Sequence, residues 1–397
     1  MCGIAGFISL KNTISHSANH LENALERLSR RGPDNKGIYR DKKCELGHTR
    51  LSIIDTSENA NQPMIDSSND YALVFNGEIY NYLDLKKELE KNNTQFKTTS
   101  DTEVLLYGLI KEGKSFINKL NGFFSFCFYD KKNQSYLLAR DRFGIKPLIY
   151  AFDENRLIYG SELKAILAYD IDKNIDKQAL AQYFRHTYIP APRTILKSCK
   201  KLLPGKIIEI TNGEVNIESY YHYYPTKKSE DNYLKAKQKV KELFHESVKK
   251  RLVSDVPLGT FLSGGVDSSI VSAVAKKYKP DLNTFSIGFP DEPIFDESKY
   301  AEKVAKHIGS KHHCFNVNNK DLYENLEDIL DYFDEPMADS SAINVYILAK
   351  ETKQNVTVSL SGDGADELFS GYNKHQALYF SLQNNISNSL IKKFGHF

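Results

Sequence analysis

The sequence has few cysteines, and they do not form the pattern of a cross-linked or metal-stabilised fold. The five cysteines are odd in number and widely separated: Cys2, Cys44, Cys127, Cys199 and Cys314. They include no CxxC pair and no arrangement that resembles a disulfide framework. This spacing is typical of a protein in a reducing compartment, and we predict a cytoplasmic location.

The sequence also lacks a region of one charge and a long apolar run. It has 53 basic and 51 acidic residues, for a formal net charge of +2, and both signs are mixed along the chain. Without a basic arm or stripe, no nucleic-acid partner is expected. No stretch approaches the roughly 20 apolar residues that span a bilayer, and the first residues do not resemble a signal peptide, so no membrane partner is expected.

The chain is long enough for more than one domain: it has 397 residues, of which 41% are hydrophobic and 26% charged. In the first half, short β-branched and aromatic runs between Gly, Asn or Asp residues predict strands. They lie at 71–75, 123–129, 136–139, 157–159, 206–210 and 214–217. Helical spacing appears at 18–29 and 101–112, where Ser100 or Asp101 is the expected cap. The first half is therefore predicted to be a strand-rich mixed α/β domain.

The second half alternates helices with short strands. Helices are predicted at 232–251, 268–277 and 297–307, and strands at 258–262 and 283–289. This alternation predicts a doubly wound parallel α/β sheet. The polar stretch 226–232 separates the two patterns. We therefore expect domains at 2–217 and 233–397, joined by a linker at 218–232.

Cys2 becomes the first residue once Met1 is removed, which is expected because cysteine is small. The thiol then lies beside its own α-amino group, whose ordinary pKa is about 8. This amine is a suitable general base for the thiol, so one residue supplies both the nucleophile and its base.

Five motifs in the first half follow each other in a specific order. They are MCGIAG at 1–6, RGPD at 31–34, GHTRLSIID at 47–55, FNGEIYN at 75–81 and SDTE at 100–103. Together they resemble the class II glutamine amidotransferase domain, a member of the N-terminal-nucleophile hydrolases. The resemblance covers about the first 210 residues and implies an α-β-β-α sandwich that hydrolyses glutamine.

The same resemblance implies roles for individual residues. Cys2 is the nucleophile, and the Asn76 amide with the Gly77 backbone N–H forms the oxyanion hole. Glutamine is a zwitterion, so Arg50 suits its carboxylate through a bidentate fork and Asp101 suits its ammonium. The rest of the pocket consists of Leu51, Ile53, Ile54 and Glu78. The segment ARDRFGIKPL at 139–148 also matches the family, and we interpret it as a structural strand and turn without a catalytic role.

A glycine-rich loop, SGGVDSS at 263–269, lies between a predicted strand and a predicted helix. Glycines let the backbone approach a phosphate, and successive N–H groups at a helix N-terminus bind anions. The loop lacks the Gly-Lys-Ser/Thr ending of a P-loop. It resembles instead the pyrophosphate loop of ATP pyrophosphatases.

Two later segments, DEP at 334–336 and SLSGDGADELF at 359–369, resemble asparagine synthetases. That resemblance implies an acidic residue, Asp363, that serves formation of aspartyl-AMP, and two Mg²⁺ ligands, Asp267 and Asp366. The ATP-binding residues that it implies are Leu262, Ser263, Gly264, Gly265, Asp267, Ser268, Ser269, Ile287, Ser361 and Gly362.

The combined resemblance implies glutamine-dependent asparagine synthesis. L-Aspartate, L-glutamine, ATP and water would give L-asparagine, L-glutamate, AMP and pyrophosphate, through a Cys2 thioester, channelled ammonia and aspartyl-AMP. The small-molecule partners are then glutamine, aspartate and ATP, with Mg²⁺. A homodimer remains open.

Two alternatives remain at this point. Asparagine synthetases continue well beyond the acidic loop, whereas this sequence stops at Phe397, about 30 residues after it. We therefore expect the ATP-pyrophosphatase domain to be incomplete, with its C-terminal part missing. One alternative is an amidotransferase of the same family that acts on a different carboxylate. The other is a shortened partner protein with glutaminase activity only.

Overall fold

The structure, a computed structural model, describes residues 1–11, 19–223 and 229–383. The chain divides into two compact units. The first contains residues 1–257 and 320–347, and the second contains 258–319 and the described residues from 348 onward. The middle of the predicted linker (224–228) and most of the polar tail (384–397) lie outside the described residues. In the described part, no helix is long and apolar enough to cross a membrane.

The first unit is built on two six-stranded sheets in which all neighbouring strands are antiparallel. The first sheet contains β1 (Gly3–Ser9), β2 (Asn35–Asp41), β3 (Cys44–Arg50), β8 (Ile149–Phe152), β9 (Arg156–Gly160) and β10 (Cys199–Lys201), in the order β10-β8-β9-β1-β3-β2. The second contains β4 (Met64–Ile65), β5 (Tyr71–Ile79), β6 (Gly122–Asp130), β7 (Ser135–Arg140), β11 (Lys206–Thr211) and β12 (Glu214–Ser219), in the order β12-β11-β7-β6-β5-β4. The strands predicted from sequence in this half are confirmed.

Helices accompany the two sheets, and two of them pack on the outer face of each sheet. Those of the first unit are α1 (His20–Arg27), α2 (Tyr82–Lys91), α3 (Asp101–Glu112), α4 (Leu163–Ile166), α5 (Lys177–His186), α6 (Tyr233–Arg251), α9 (Asn319–Glu324), α10 (Leu326–Tyr332) and α11 (Ser341–Thr352). Helix α9 starts and helix α11 ends in the second unit.

Three buried apolar clusters hold the layers of the first unit together. One lies between the two sheets and includes Ile4, Leu46 and Val74. A second packs the other face of the β5–β6 sheet against α2 and α3, and a third packs the β1–β3 sheet against α1 and α4. Burial of apolar surface on both faces of each sheet is the main stabilising term in such a layered fold. The predicted α-β-β-α sandwich is confirmed.

The second unit has a four-stranded parallel sheet in the order β15-β14-β13-β16. Its strands are β13 (Leu258–Phe261), β14 (Asn283–Gly288), β15 (Lys311–Asn316) and β16 (Val358–Leu360), and its helices are α7 (Val266–Tyr278), α8 (Ser298–Ile308), α12 (Ala365–Phe369) and α13 (Asn373–Gln383). The predicted parallel α/β sheet is confirmed, and the predicted helices lie within two residues of their observed ends.

The chain returns to the first unit at residues 320–347. Two acidic residues after α10 make ion pairs there. Asp334 lies 3.4 Å from the Lys164 ammonium, and Glu335 lies 2.5 Å from that of Lys201. The backbone N–H of Ile195 also donates to Glu335, at 2.7 Å. The predicted domain limits assign this segment to the second domain, 233–397, whereas it packs in the first compact unit. Those limits stay a prediction.

Candidate active site

Cys2 lies directly before strand β1, and its thiol is held by the chain that follows β3. Its Sγ is 3.4 Å from the Leu51 nitrogen and 3.6 Å from the Leu51 oxygen. The Arg31 guanidinium, paired with Glu162 at 2.7 Å, donates to the Cys2 carbonyl at 2.8 Å. Burial raises the pKa of the Cys2 thiol, although the Leu51 N–H opposes this. The thiol therefore needs a base when it reacts.

Strand β5 carries the Asn76–Gly77–Glu78 motif past this thiol. The backbone N–H groups of Phe75 and Ile79 donate to the side chains of Gln62 (2.6 Å) and Asp101 (2.9 Å). Alternate N–H groups of an antiparallel strand point to the same side, so the N–H of Gly77 points away from β6 as well. It is directed to a pocket that Gly77 lines. A Cβ at this position would lie 2.3 Å from a backbone oxygen of β6, so only glycine fits.

Asn76 is buried, with 1% of its surface exposed. On β5 it shares a face with Ala72 and Val74, which pack in the core between the sheets. Neither polar atom of its side-chain amide has a hydrogen-bond partner among the described residues. Because buried amides are nearly always hydrogen-bonded, this amide is available to a ligand.

His48, beside this strand, is fully buried, and its Nε2 lies 3.1 Å from the Phe75 oxygen. Burial lowers the pKa of His48 to about 3, so its ring is neutral and Nε2 carries the proton that it donates. This histidine supports the backbone next to Asn76, a role that the sequence reasoning missed.

Arg50 ends strand β3 and is only 5% exposed. Its Nη1 donates to the Ser57 oxygen (2.8 Å) and to Asn61 Oδ1 (2.7 Å), and its Nη2 donates to the Asp55 oxygen. The described contacts use both Nη1 hydrogens and one on Nη2. No contact of the Nε–H is described, and the edge formed by Nε and Nη2 is the one that suits a carboxylate in bidentate fashion.

Two carboxylates, those of Glu78 and Asp101, line the same pocket as Arg50. Ser100 caps helix α3, since its side chain accepts from the Glu103 nitrogen at 3.2 Å. The carboxylate of Asp101 is therefore not the cap, and it accepts from Ile79 instead. Burial raises the pKa of Asp101 to about 6, and burial followed by the charge of Asp101 raises that of Glu78. The charge of Arg50 acts on Asp101 and opposes this rise of its pKa.

These residues line one pocket. The structure brings together Cys2, Arg50, Leu51, Ile53, Ile54, Gly77, Glu78 and Asp101. Asn76 is next to Gly77 on β5 but is not one of the residues that line the pocket. The sequence reasoning missed the other lining residues, which are Ala60, Gln62, Phe75, Ser100 and Thr102.

In the second unit, the glycine-rich loop joins β13 to α7. Gly264 has a left-handed backbone with φ 87°, and Gly265 is the N-cap of α7 with no side-chain cap. The hydroxyls of Ser263 and Ser268 are 3.0 Å apart across the loop. The Oγ of Ser269 is buried and has no partner in the described part of the chain. The N–H groups in the first turn of α7 have no intrahelical acceptor, and groups of this kind are suited to bind an anion.

The ends of the other parallel strands lie at the same edge of the sheet, because β13, β14 and β16 are parallel neighbours. Leu262 follows β13 and is buried, and Ile287 lies near the end of β14. Ser361 and Gly362 follow β16. A Cβ at Gly362 would lie 2.9 Å from the Ser268 nitrogen, so this turn packs directly against the start of α7.

Three aspartates lie in the segments that follow strands β13 and β16. Asp267 and Asp366 lie in the first turns of α7 and α12, and Asp363 accepts a hydrogen bond from the Ser361 hydroxyl at 2.8 Å. The described residues contain no cluster of three or more His, Cys, Asp or Glu side chains that could hold a metal ion. Two carboxylates are nevertheless a suitable donor set for Mg²⁺, which takes its remaining ligands from phosphates and water.

Comparison with known proteins agrees with both halves of this arrangement. Residues 1–221 match the family described as Glutamine amidotransferase domain, and residues 239–394 match the family described as Asparagine synthase.

Relatives are found in bacteria and archaea. Asparagine synthetase 1 (glutamine-hydrolysing) of Bacillus subtilis is 38% identical over 94% of this chain and 59% of its own length. Putative asparagine synthetase 2 (glutamine-hydrolysing) of Methanocaldococcus jannaschii is 38% identical over 94% of this chain and 76% of its own. Asparagine synthetase B of Escherichia coli is 34% identical over 96% and 65%. The chain thus spans about 59% of the length of the Bacillus relative, and it belongs to the family of glutamine-hydrolysing asparagine synthetases.

Proposed function

We propose that this chain hydrolyses glutamine at Cys2 and supplies the ammonia for ATP-dependent synthesis of asparagine from aspartate. The observation that carries the proposal is the pocket of the first unit. It combines the thiol of Cys2, the guanidinium of Arg50 and two carboxylates. Beside it on β5, Asn76 has a buried amide without a hydrogen-bond partner among the described residues. This set matches the reacting amide, the α-carboxylate and the α-ammonium of glutamine.

The reaction begins once Met1 has been removed. Arg50 binds the carboxylate of glutamine through Nε and Nη2, and Asp101 with Glu78 binds its ammonium. The α-amine of Cys2 takes the proton from Sγ, and the thiolate attacks the side-chain amide carbon. Negative charge develops on the amide oxygen, where the Asn76 amide and the Gly77 N–H donate to it. Each such donor is worth on the order of 3 kcal/mol in the transition state.

The tetrahedral intermediate then breaks its C–N bond. The α-ammonium of Cys2 returns its proton to the leaving nitrogen, so ammonia departs and a Cys2 thioester remains. Water, deprotonated by the same amine, hydrolyses the thioester to glutamate and restores the thiol.

The second unit consumes the ammonia. The loop of Ser263, Gly264, Gly265, Ser268 and Ser269 binds the phosphates of ATP through its N–H groups and hydroxyls. The remaining contacts to ATP come from Leu262, Asp267, Ile287, Ser361 and Gly362.

Asp363 serves formation of aspartyl-AMP, in which the aspartate carboxylate displaces pyrophosphate from ATP. Ammonia then attacks the acyl carbon, giving asparagine and AMP. Bound by Asp267 and Asp366, Mg²⁺ would neutralise phosphate charge.

The test is glutamine hydrolysis by the wild type, Cys2→Ala and Cys314→Ala. Cys314 is a half-buried cysteine of the second unit and serves as the matched control. We expect glutamate release by the wild type and Cys314→Ala, and a loss of at least about 1,000-fold in Cys2→Ala, because the thiol of Cys2 is the nucleophile that forms the thioester. Mass spectrometry of the native protein should show that Met1 is absent.

Ammonia-dependent formation of AMP from ATP and aspartate should have the same rate in Cys2→Ala as in the wild type, because the second unit does not use the thiol. Glutaminase activity retained by Cys2→Ala would falsify the assignment of Cys2 as the nucleophile. AMP formation that needs a carboxylate other than aspartate would overturn asparagine as the product.

A further inference from the structure

The pocket beside Cys2 takes part of its wall from an irregular segment after strand β3, residues 51–57, which we call the pocket loop. Leu51, Ile53 and Ile54 of this loop line the pocket, and none of its residues lies in a helix or strand. A segment of this kind takes its shape from individual hydrogen bonds to its backbone. The groups that make those bonds therefore decide where this wall of the pocket lies.

Asp55 is the centre of these bonds. Its backbone is left-handed, with φ 52°, which is uncommon for a residue other than glycine. Its carbonyl oxygen accepts from Nη2 of Arg50, and its carboxylate accepts from the backbone N–H groups of Ser57 (3.1 Å) and Thr99 (2.8 Å). Thr99 lies two residues before Asp101. Asp55 thus connects the proposed ligand of the glutamine carboxylate with the turn that leads to the proposed ligand of its ammonium.

Asp255 binds the pocket loop from a distant part of the sequence. Its backbone N–H donates to the Ile53 oxygen at 3.0 Å, and its carboxylate accepts from the Asp55 N–H at 2.8 Å. The two bonds lie on either side of Ile54, whose side chain is buried and lines the pocket. A single residue thus holds the backbone both before and after a residue of the pocket wall.

The neighbours of Asp255 hold it in turn. The Ser254 hydroxyl donates to the Val256 oxygen at 2.9 Å and accepts from the Val256 N–H at 3.3 Å, so the chain is tied together across Asp255. Helix α6 ends just before, at Arg251, whose Cζ lies 4.6 Å from the ring centroid of Tyr80. Tyr80 directly follows strand β5, so this cation–π contact attaches the end of α6 to a strand that also lines the pocket.

The contact crosses the domain limit that the sequence suggests. Asp255 falls outside residues 1–221, which match the amidotransferase family, and within the predicted second domain, 233–397. In the structure it belongs to the first compact unit, which runs to residue 257 before strand β13 begins. The pocket loop is thus held by a residue that the amidotransferase motifs do not include.

We propose that Asp255 is a positioning residue of the amidotransferase site, which holds the pocket loop so that Asp55 keeps Arg50 in place for the carboxylate of glutamine. The inference rests on the proposed function, because it concerns the same substrate. Asp255 is exposed, so its two bonds should add little to the stability of the fold. Their effect is expected in the KM for glutamine, because the α-carboxylate is remote from the reacting carbon and is bound alike before and during the reaction.

The test compares glutamine hydrolysis by the wild type, Asp255→Ala, Asp255→Asn and Asp153→Ala. Asp153 is the matched control, since its exposed carboxylate also accepts from a backbone N–H, that of Asn155 at 2.8 Å, but it does not line the pocket. In Asp255→Ala we expect KM to rise about 5- to 20-fold, with kcat within about twofold of the wild type. Asp255→Asn keeps an oxygen acceptor for the Asp55 N–H and should raise KM less than about threefold. Asp153→Ala should behave as the wild type.

A second measurement separates the position of the loop from a general disturbance of the site. Cys2 is alkylated either by a diazoketone analogue of glutamine, which has the α-carboxylate, or by iodoacetamide, which lacks it, and peptide mass spectrometry follows both reactions. In Asp255→Ala the analogue concentration that gives half the maximal rate should rise as KM does. The rate with iodoacetamide should stay within about twofold of the wild type, and the melting temperature within about 2 °C.

The outcomes separate this inference from the proposed function. An unchanged KM in Asp255→Ala overturns the role of Asp255. An equal rise of KM in Asp255→Asn also overturns it, because the acceptor for the Asp55 N–H would then not be what matters. A slower reaction with iodoacetamide or a lower melting temperature in Asp255→Ala would show a general disturbance, with the same consequence. A wild type that does not hydrolyse glutamine contradicts the proposed function instead.

Discussion

The pocket beside Cys2 and the glycine-rich loop offer different kinds of polar group. In the pocket they are buried side chains: Arg50 and Asp101 are each 5% exposed, and the neighbouring Asn76 is 1% exposed. In the loop, Ser263 is exposed, and the polar groups without intrahelical partners are backbone N–H donors at the start of α7. A buried side chain is specific for one substrate group, whereas backbone donors bind any phosphate. We therefore expect the pocket to depend on side-chain chemistry and the loop to depend on glycine conformation.

The largest effect that would test this contrast is expected for Asn76→Ala. Loss of one oxyanion donor should lower kcat for glutamine hydrolysis about 100- to 1,000-fold. The free energy of unfolding should change by less than about 1 kcal/mol, because the amide makes no hydrogen bond in the described structure. Steady-state kinetics and urea unfolding measure the two quantities. Asn133→Ala, in an exposed hairpin, is the control, and a large loss of stability in Asn76→Ala would make Asn76 a structural residue.

A smaller effect is expected for Asp101→Asn, which removes one charge of the pocket and keeps its shape. The KM for glutamine should rise about 10- to 100-fold, as expected for a lost charged hydrogen bond of ~1.5–3 kcal/mol. Because the pKa of Asp101 is raised to about 6, kcat/KM of the wild type should fall as the pH drops below that value. The variant should lack this pH dependence.

The pH dependence of the melting temperature is a second test of the role of Asp101. A carboxyl whose pKa is raised on folding binds more protons in the native state between about pH 4 and 6. Asp101 therefore destabilises the native state at neutral pH, and this penalty is relieved as the pH falls through about 6. Asp101→Asn should melt at a higher temperature than the wild type at about pH 7, with a smaller difference at about pH 5. An unchanged KM together with a lower melting temperature would contradict the assignment.

The smallest effect is expected in the loop, for Gly264→Ala. The residue has φ 87°, and a Cβ there would lie 2.6 Å from the backbone nitrogen of Ala301 and from Tyr300 Cβ. The strain and the clash should cost about 1–3 kcal/mol of stability. The displaced N–H groups should raise the Kd for ATP about 5- to 10-fold, as measured by calorimetry. Glutamine hydrolysis should continue.

Gly309→Ala is the matched control, because Gly309 also has a left-handed backbone (φ 70°), but a Cβ added there would meet no described atom within 4 Å. It should lose about 1–2 kcal/mol of stability from the backbone conformation alone and keep ATP binding. If both variants bind ATP equally well, the loop does not hold the phosphates.

Motifs and the alternation of residue types were enough to predict the sandwich of the first half and the parallel sheet of the second. The runs at 71–75 and 123–129 lie within β5 and β6, since cross-strand packing favours their aromatic and β-branched residues. The structure also decided between Ser100 and Asp101 as the cap of α3. Sequence offers both residues, and only the Ile79 contact shows that Asp101 is committed to the pocket.

Other features depend on long-range contacts that have no local signature. Gln62 enters the pocket because its amide accepts from a backbone N–H on β5, and nothing near it in sequence indicates this. The Nζ of Lys146 lies 3.2 Å from Sδ of Met1, which is 145 positions earlier in the chain. The segment 320–347 returns to the first unit and makes ion pairs there between Asp334 and Lys164 and between Glu335 and Lys201. Periodicity identifies helices in such a segment, but it does not identify what they pack against.

The discontinuity of the first unit has a consequence for how the chain is made. During synthesis, residues 1–257 leave the ribosome long before 320–347, and residues 258–319 of the other unit come between them. Lys164 and Lys201 therefore cannot form their ion pairs until that intervening stretch has been translated. Domains generally fold as units, beginning with the N-terminal one. In this protein the first domain to emerge finishes only after much of the second has been made, so its last ion pairs form only after the ribosome has passed residue 335.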